Sequence, residues 1–153
     1  MKLSKNFSLK ELTRSQTAIR KGINNIPDTE QLVNLTVLVQ MILQPCRDKF
    51  GTIALNSGLR VLALNRAIGS SDRSSHVKGE AADFEAYSAS NVCLAGWIKN
   101  NLDFDQLILE YPGPDPRDGW VHCSYKKDGS NRKQILTAVK EGKKTVYKQG
   151  LQE

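Results

Sequence analysis

The chain has no uncharged apolar run close to the ~18 to 20 residues that a membrane-spanning helix needs. Its longest candidate, residues 32–43, is interrupted by Asn34, Thr36 and Gln40, so insertion into a bilayer is not expected. Residues 1–10 alternate charge with single apolar residues and lack the apolar core and small-residue cleavage site of a secretory signal, which predicts a cytoplasmic protein as synthesised. Cysteine is sparse as well. Cys46, Cys93 and Cys123 are odd in number, widely spaced and in no C-x-x-C pair, which argues against a disulfide framework and a cysteine zinc site. They are expected to be reduced, half-buried thiols. Recognised nucleic-acid motifs and aromatic residues interleaved with basic ones are also missing, so no specific nucleic-acid partner is expected.

What remains is the composition of one soluble domain: 153 residues, 39% hydrophobic, 25% charged. The formal charge of +6 is uneven. Residues 126–153 hold eight Lys or Arg against Asp128, Glu141 and Glu153, so five of the six net charges lie in this basic C-terminal segment. Such a segment can attract a polyanion or simply solvate a hairpin, and the sequence leaves both open. The whole chain, 1–153, reads as a single domain, most simply a monomer.

Local signals outline the fold. Ser8 as a cap, Glu11 three residues on, and Phe7 with Leu12 as a hydrophobic staple start a short helix at Leu9. Asp28 or Thr29 caps a long amphipathic helix carrying Leu32, Leu35, Val39, Ile42, Leu43 and Cys46, with a kink at Pro45 and an end by Gly51. Strands are expected at 52–56, 81–86, 104–111 and 120–125, and short helices at 61–68 and 90–101. Residues 112–119 carry three prolines and form a loop, making 104–111 and 120–125 an antiparallel hairpin. A last basic hairpin turns about Glu141 and Gly142. Helices gathered early and strands later define an α+β class, with N-terminal helices packed on a small, mainly antiparallel sheet.

Histidine is the scarcest reactive type, with only His76 and His122. Asp83 follows His76 by seven residues across Gly79, Ala81 and Ala82, a segment able to fold back on itself. In the strand Trp120-Val121-His122-Cys123-Ser124, residues 120, 122 and 124 share one face while Val121 and Cys123 point into the core. Two histidines, one carboxylate and a position left for water make a standard set for catalytic zinc. The same residues also fit a half-buried strand histidine and a solvent-facing aspartate. A hydrolytic site needs a base, for which Glu110 at a strand end and Asp118 in the loop are candidates. It also needs a cation, and Arg60 can grip a carboxylate bidentately. Each of these three is equally compatible with a solvated strand end or turn.

Ser74-x-His76-x-x-Gly79-x-Ala81-x-Asp83 resembles the S-x-H-x-x-G-x-A-x-D signature of the zinc D-Ala-D-Ala carboxypeptidase family, the M15-type peptidases that cut peptidoglycan stem peptides. Further blocks carry the resemblance over residues 3 to 125: Leu3 to Phe7 with Glu11-Leu12, Asn56 to Arg60, Phe104 to Glu110, and Trp120 to Ser124. It is closest to the compact phage and bacterial branch, and it implies the α+β fold shared with the hedgehog signalling domain. It further implies His76, Asp83 and His122 as Zn2+ ligands, Arg60 as the binder of the substrate carboxylate, and Ser74 and Ser57 near the site. Many members carry an acid three positions before the last histidine, where this chain has Gly119; Glu110 is then the preferred base and Asp118 the alternative. Activity on a stem peptide as a D,D-carboxypeptidase or endolysin-type L,D-endopeptidase is the expectation, with release to the wall through a separate pore. The competing expectation is a zinc-containing module that binds wall peptide or a partner without cutting it, or a phage structural component.

Overall fold

The computed structural model describes residues 1–152. Six α-helices and six strands follow one another as α1 (Leu9–Thr13), α2 (Gln16–Lys21), α3 (Thr29–Leu38), α4 (Gln44–Phe50), β1 (Ile53–Ser57), α5 (Leu62–Ile68), β2 (Ala81–Ala86), α6 (Asn91–Asn101), β3 (Gln106–Glu110), β4 (Trp120–Ser124), β5 (Gln134–Glu141) and β6 (Lys144–Gln149). The strands build one sheet in the order β1-β2-β4-β3-β5-β6, antiparallel throughout except for the parallel pair β3/β5. The α+β class, helices against a mixed and mostly antiparallel sheet, is as expected.

The caps behave as their side chains dictate. Ser8 and Glu11 form a reciprocal capping box on α1, and Asp28 and Gln31 form another on α3. The expected single helix with a proline kink is instead α3 and α4 joined by a π-helical segment, Val39–Leu43, in which the Gln44 N–H reaches back to the Val39 carbonyl. Pro45 has no N–H and its ring crowds the carbonyl four residues back, so one wider turn relieves the clash without breaking the helix. Helix α2, capped by Ser15 and closed by Gly22 in the left-handed region, lies outside the expected elements.

Strand alternation divides the sheet into two faces. Ala82, Phe84, Leu107, Leu109, Val121 and Cys123 join Leu12, Leu35, Leu38, Ile42, Leu94 and Ile98 in one buried core. The opposite face carries Asp83, His122 and Glu110, so burying one face presents the other for chemistry. The thiols are all free but not half-buried as expected: Cys46 and Cys123 are fully buried and Cys93 is exposed. Burial pushes the Cys46 thiol up to about 12, which leaves it an inert packing group.

A candidate metal centre

The cross-strand register assembles the centre. Asp83 on β2 stands directly opposite His122 on β4, and on the other side of β4 His122 is opposite Ile108 and Trp120 opposite Glu110 on β3. His76 arrives from the turn between α5 and β2. That turn is fastened to α3, where Gln31 Nε2 donates to the Val77 carbonyl and Asn34 Nδ2 to the Lys78 carbonyl, at 2.7 and 2.9 Å. Gly79 makes the fit possible: φ is +76°, and a Cβ there would lie 2.7 Å from the Gln31 carbonyl oxygen.

The block that begins at Asn56 holds the His76 ring. Gly58 offers its carbonyl 2.8 Å from His76 Nδ1. A carbonyl can only accept, so Nδ1 carries the proton and Nε2 is left as a free lone pair aimed at Asp83. The Arg60 N–H bonds the His76 carbonyl at 3.1 Å, tying both ends of the arrangement together.

His76 Nε2 lies 3.3 Å and His122 Nδ1 2.9 Å from Asp83 Oδ1, and the three ligand atoms all fall within 4.8 Å of one another. Ligands about 2.0–2.2 Å from a tetrahedral ion are separated by roughly 3.4 Å, so the spacing is already near that of a chelate. No other group of three or more His, Cys, Asp or Glu side chains among the described residues is disposed to hold a metal ion. The mixed nitrogen and oxygen donors suit zinc. Burial alone would raise Asp83, yet the hydrogen bond with His122 and the imidazole of His76 beside it outweigh it and hold the carboxyl below the ordinary range. Burial lowers His76, keeping the imidazole neutral as a ligand must be. Cys123 points into the core from the opposite face, so it cannot close the coordination shell.

These ligands lie in a cleft of about 440 Å³, within the size range of small-molecule sites. Arg60, Ser74, Glu110 and Trp120 line it too, together with Arg73 and Tyr147, which the sequence reading did not single out. Arg60 Nε and Trp120 Nε1 are buried donors without an acceptor, a state that proteins rarely tolerate outside ligand sites. Burial pushes the Glu110 carboxyl up, the His122 and Arg60 charges only partly opposing it and Asp83 adding to it.

Two of the expected residues do not line the cleft. Ser57 sits on β1 opposite Asp83 but does not line the cleft. Asp118 does not line it either; its Oδ2 accepts the Asp115 N–H within the proline-rich loop. That loop is held against the end of β2 and the start of α6 by Asn91, which donates to the Asp118 and Gly119 carbonyls, and by Arg117, which donates to those of Ala86 and Tyr87. Gly119 has φ +75°, and a Cβ there would overlap the Glu110 carbonyl oxygen and sit 2.7 Å from that of Tyr111. No side chain, acidic or otherwise, fits this position.

Two buried histidines and one carboxylate whose ligand atoms are close enough to hold one ion, beside a half-buried carboxylate and an arginine, are the donor set of a metal-dependent hydrolase. The family model of peptidase M15 matches residues 5–124, and the chain belongs to that family of zinc-dependent metallopeptidases. No curated protein matches the chain closely enough to count as a relative.

Proposed function

We propose that this protein is a zinc metallopeptidase that hydrolyses peptide bonds in peptidoglycan stem peptides. The observation that carries the reading is the convergence, in one cleft, of the His76-Asp83-His122 chelate with Glu110 and the unpartnered Arg60 Nε. His76, Asp83 and His122 would hold the ion. When bound, zinc supplies the Lewis acidity that lowers the pKa of a water toward about 7 and polarises a carbonyl.

The chain's own groups account for the remainder. Among the described residues Glu110 is the only carboxylate besides Asp83 that lines the cleft, and its raised pKa suits a general base that takes a proton and returns it to the leaving amine. Arg60 supplies a cation for a peptide carboxylate, a group that stem peptides carry at their ends. Trp120 Nε1 offers a further donor to a carbonyl oxygen. The preformed hydrogen bond from His76 to Gly58 fixes the ring before substrate arrives, which limits reorganisation during the reaction.

The test is mass spectrometry of fragments released from purified cell walls by the zinc-loaded protein, with Glu110→Gln beside it. Release of free peptide ends by the native protein and its collapse in the variant are expected. A zinc-loaded native protein that never releases such ends would leave a non-cutting wall-peptide binder instead.

A further inference from the structure

The matched family region ends at residue 124, whereas the cleft does not. Its floor continues over the sheet into a second depression of about 430 Å³ between β3, β5 and β6, and the two share Gln106, Ile108 and Tyr147. Strand register explains the continuity. The parallel pairing places Gln106 beside Gln134 and Ile108 beside Leu136, and β6 then sets Gln149 opposite Leu136 and Tyr147 opposite Ala138. Ile108, Leu136 and Ala138 form a small apolar cluster of their own, apart from the main core. Gln106 and Gln134, bonded to each other at 2.8 Å, flank this floor with amide donors and acceptors, while Tyr147 remains 55% exposed. An apolar strip edged by amides is complementary to an extended peptide, whose backbone needs hydrogen bonds and whose side chains need cover.

The hairpin is also fastened to the centre. The Tyr111 N–H bonds the Ala138 carbonyl at 2.8 Å and its hydroxyl meets Thr145 Oγ1 at 2.8 Å, while its ring lies against that of Trp120 with centroids 5.5 Å apart. Tyr111 has φ +53°, an unfavourable conformation for a non-glycine residue that these contacts maintain directly after Glu110. A wall braced in this way loses little freedom when a ligand docks.

We propose that the C-terminal hairpin is half of the substrate site: its groove with β3 receives the peptide that continues beyond the scissile bond, and Tyr147 is the specificity-determining contact. This inference rests on the peptidase reading above and extends it to the length of substrate recognised. The occupant follows from continuity, because a chain whose carbonyl lies at the metal centre has the shared Gln106-Ile108-Tyr147 surface as a direct path outward.

Calorimetry with zinc-loaded Glu110→Gln protein, in which ligands stay uncut, compares a D-Ala-D-Ala dipeptide with a full stem pentapeptide. The pentapeptide is expected to bind about tenfold more tightly, the gain that one well-placed aromatic contact provides. Adding Tyr147→Ala should shrink that ratio toward one at unchanged zinc content, and Tyr147→Phe should restore it. A ratio unaffected by Tyr147→Ala, no gain with length, or no binding of either peptide overturns the proposal. Hydrolysis by the native protein separates the two readings. Length-dependent binding without release of peptide ends removes the peptidase assignment and keeps the groove, whereas release of ends with a ratio indifferent to Tyr147 removes only the groove.

Discussion

Gly119→Ala isolates the reason that position cannot supply the base. Two costs arise there, and they can be separated. The first is conformational: φ of +75° costs an alanine about 1–2 kcal/mol. The second is steric. The new Cβ would overlap the Glu110 carbonyl oxygen and stand 2.7 Å from the Tyr111 oxygen and 2.9 Å from its carbonyl carbon, distances below the 3.0 Å that real Cβ atoms observe. These are backbone atoms of the paired strand end, so relief requires parting Glu110 from Trp120, an overpacking cost of about 1–3 kcal/mol. Together they predict a loss of about 2–5 kcal/mol, or roughly 4–20 °C in Tm for a chain of this size. Gly142→Ala is the internal control, because φ is +64° and nothing lies within 4 Å of its Cβ. It should lose only the conformational part, about 1–2 kcal/mol and roughly 2–8 °C. Thermal unfolding followed by circular dichroism, with each variant beside the native protein, gives both numbers. Equal small shifts in the two variants would refute the clash and readmit a side chain at 119. Gly119→Glu should be at least as unstable as Gly119→Ala and should gain no hydrolysis.

Further predictions follow from the centre and its supports. His76→Ala, Asp83→Ala and His122→Ala should each lose the single zinc per chain by elemental analysis; stoichiometric metal in all three would contradict the chelate. Glu110→Gln should keep its zinc and lose hydrolysis by roughly 10²–10⁴-fold. In the native protein the base must be ionised, so activity falls with acid, and the raised Glu110 places that fall above the ordinary glutamate value of about 4.3. A pH profile of kcat/KM with its acid limb at or below 4.3 would count against this role. Asp105→Asn tests the joint between β3 and the hairpin, where Asp105 accepts Arg132 Nε and Nη2 at 3.0 and 2.9 Å and the Arg132 backbone N–H at 3.1 Å. Burial raises this carboxyl, but the Arg132 bonds outweigh it and its pKa is depressed. Its stabilisation is therefore present above the unfolded value of about 3.9 and disappears as pH falls through the lower folded value. The variant should lose about 1–3 kcal/mol in denaturant unfolding at pH 7, and the difference should vanish in strong acid. A constant deficit at every pH would refute the linkage.

The parts legible in the sequence are those that act over a few residues. Ser8 caps where expected, and Asp28 is the one of its two candidates that caps α3, because a cap needs only the next turn. Strand alternation alone placed His122 and Trp120 on one face and Cys123 on the other. Helix α2 was missed although Ser15 and Gly22 flank it, because six residues carry too little periodicity to stand out. A π-helical segment stands where the sequence predicts a plain proline kink, since the choice between breaking and widening depends on the packing of Val39, Ile42 and Leu43 in the core.

For the site, the two scarce histidines and Asp83 make a possible ligand set, and the resemblance of the segment 74–83 to the M15 signature implies that these three side chains meet. Their chemistry is local and leaves few alternatives. Which carboxylate joins them, which serine does not, and which aromatic ring walls the cleft were settled only by the sheet. Glu110 and Asp118 are eight residues apart and chemically alike, but strand pairing turns one into the cleft while Asn91 and Arg117 hold the other's loop against the end of β2 and the start of α6. Tyr147 comes from a basic hairpin with no local mark of function, and it reaches the metal face through a parallel pairing between strands 24 residues apart. Such contacts are long-range by nature: a residue's neighbours across a sheet depend on register and strand order, which no window of sequence contains.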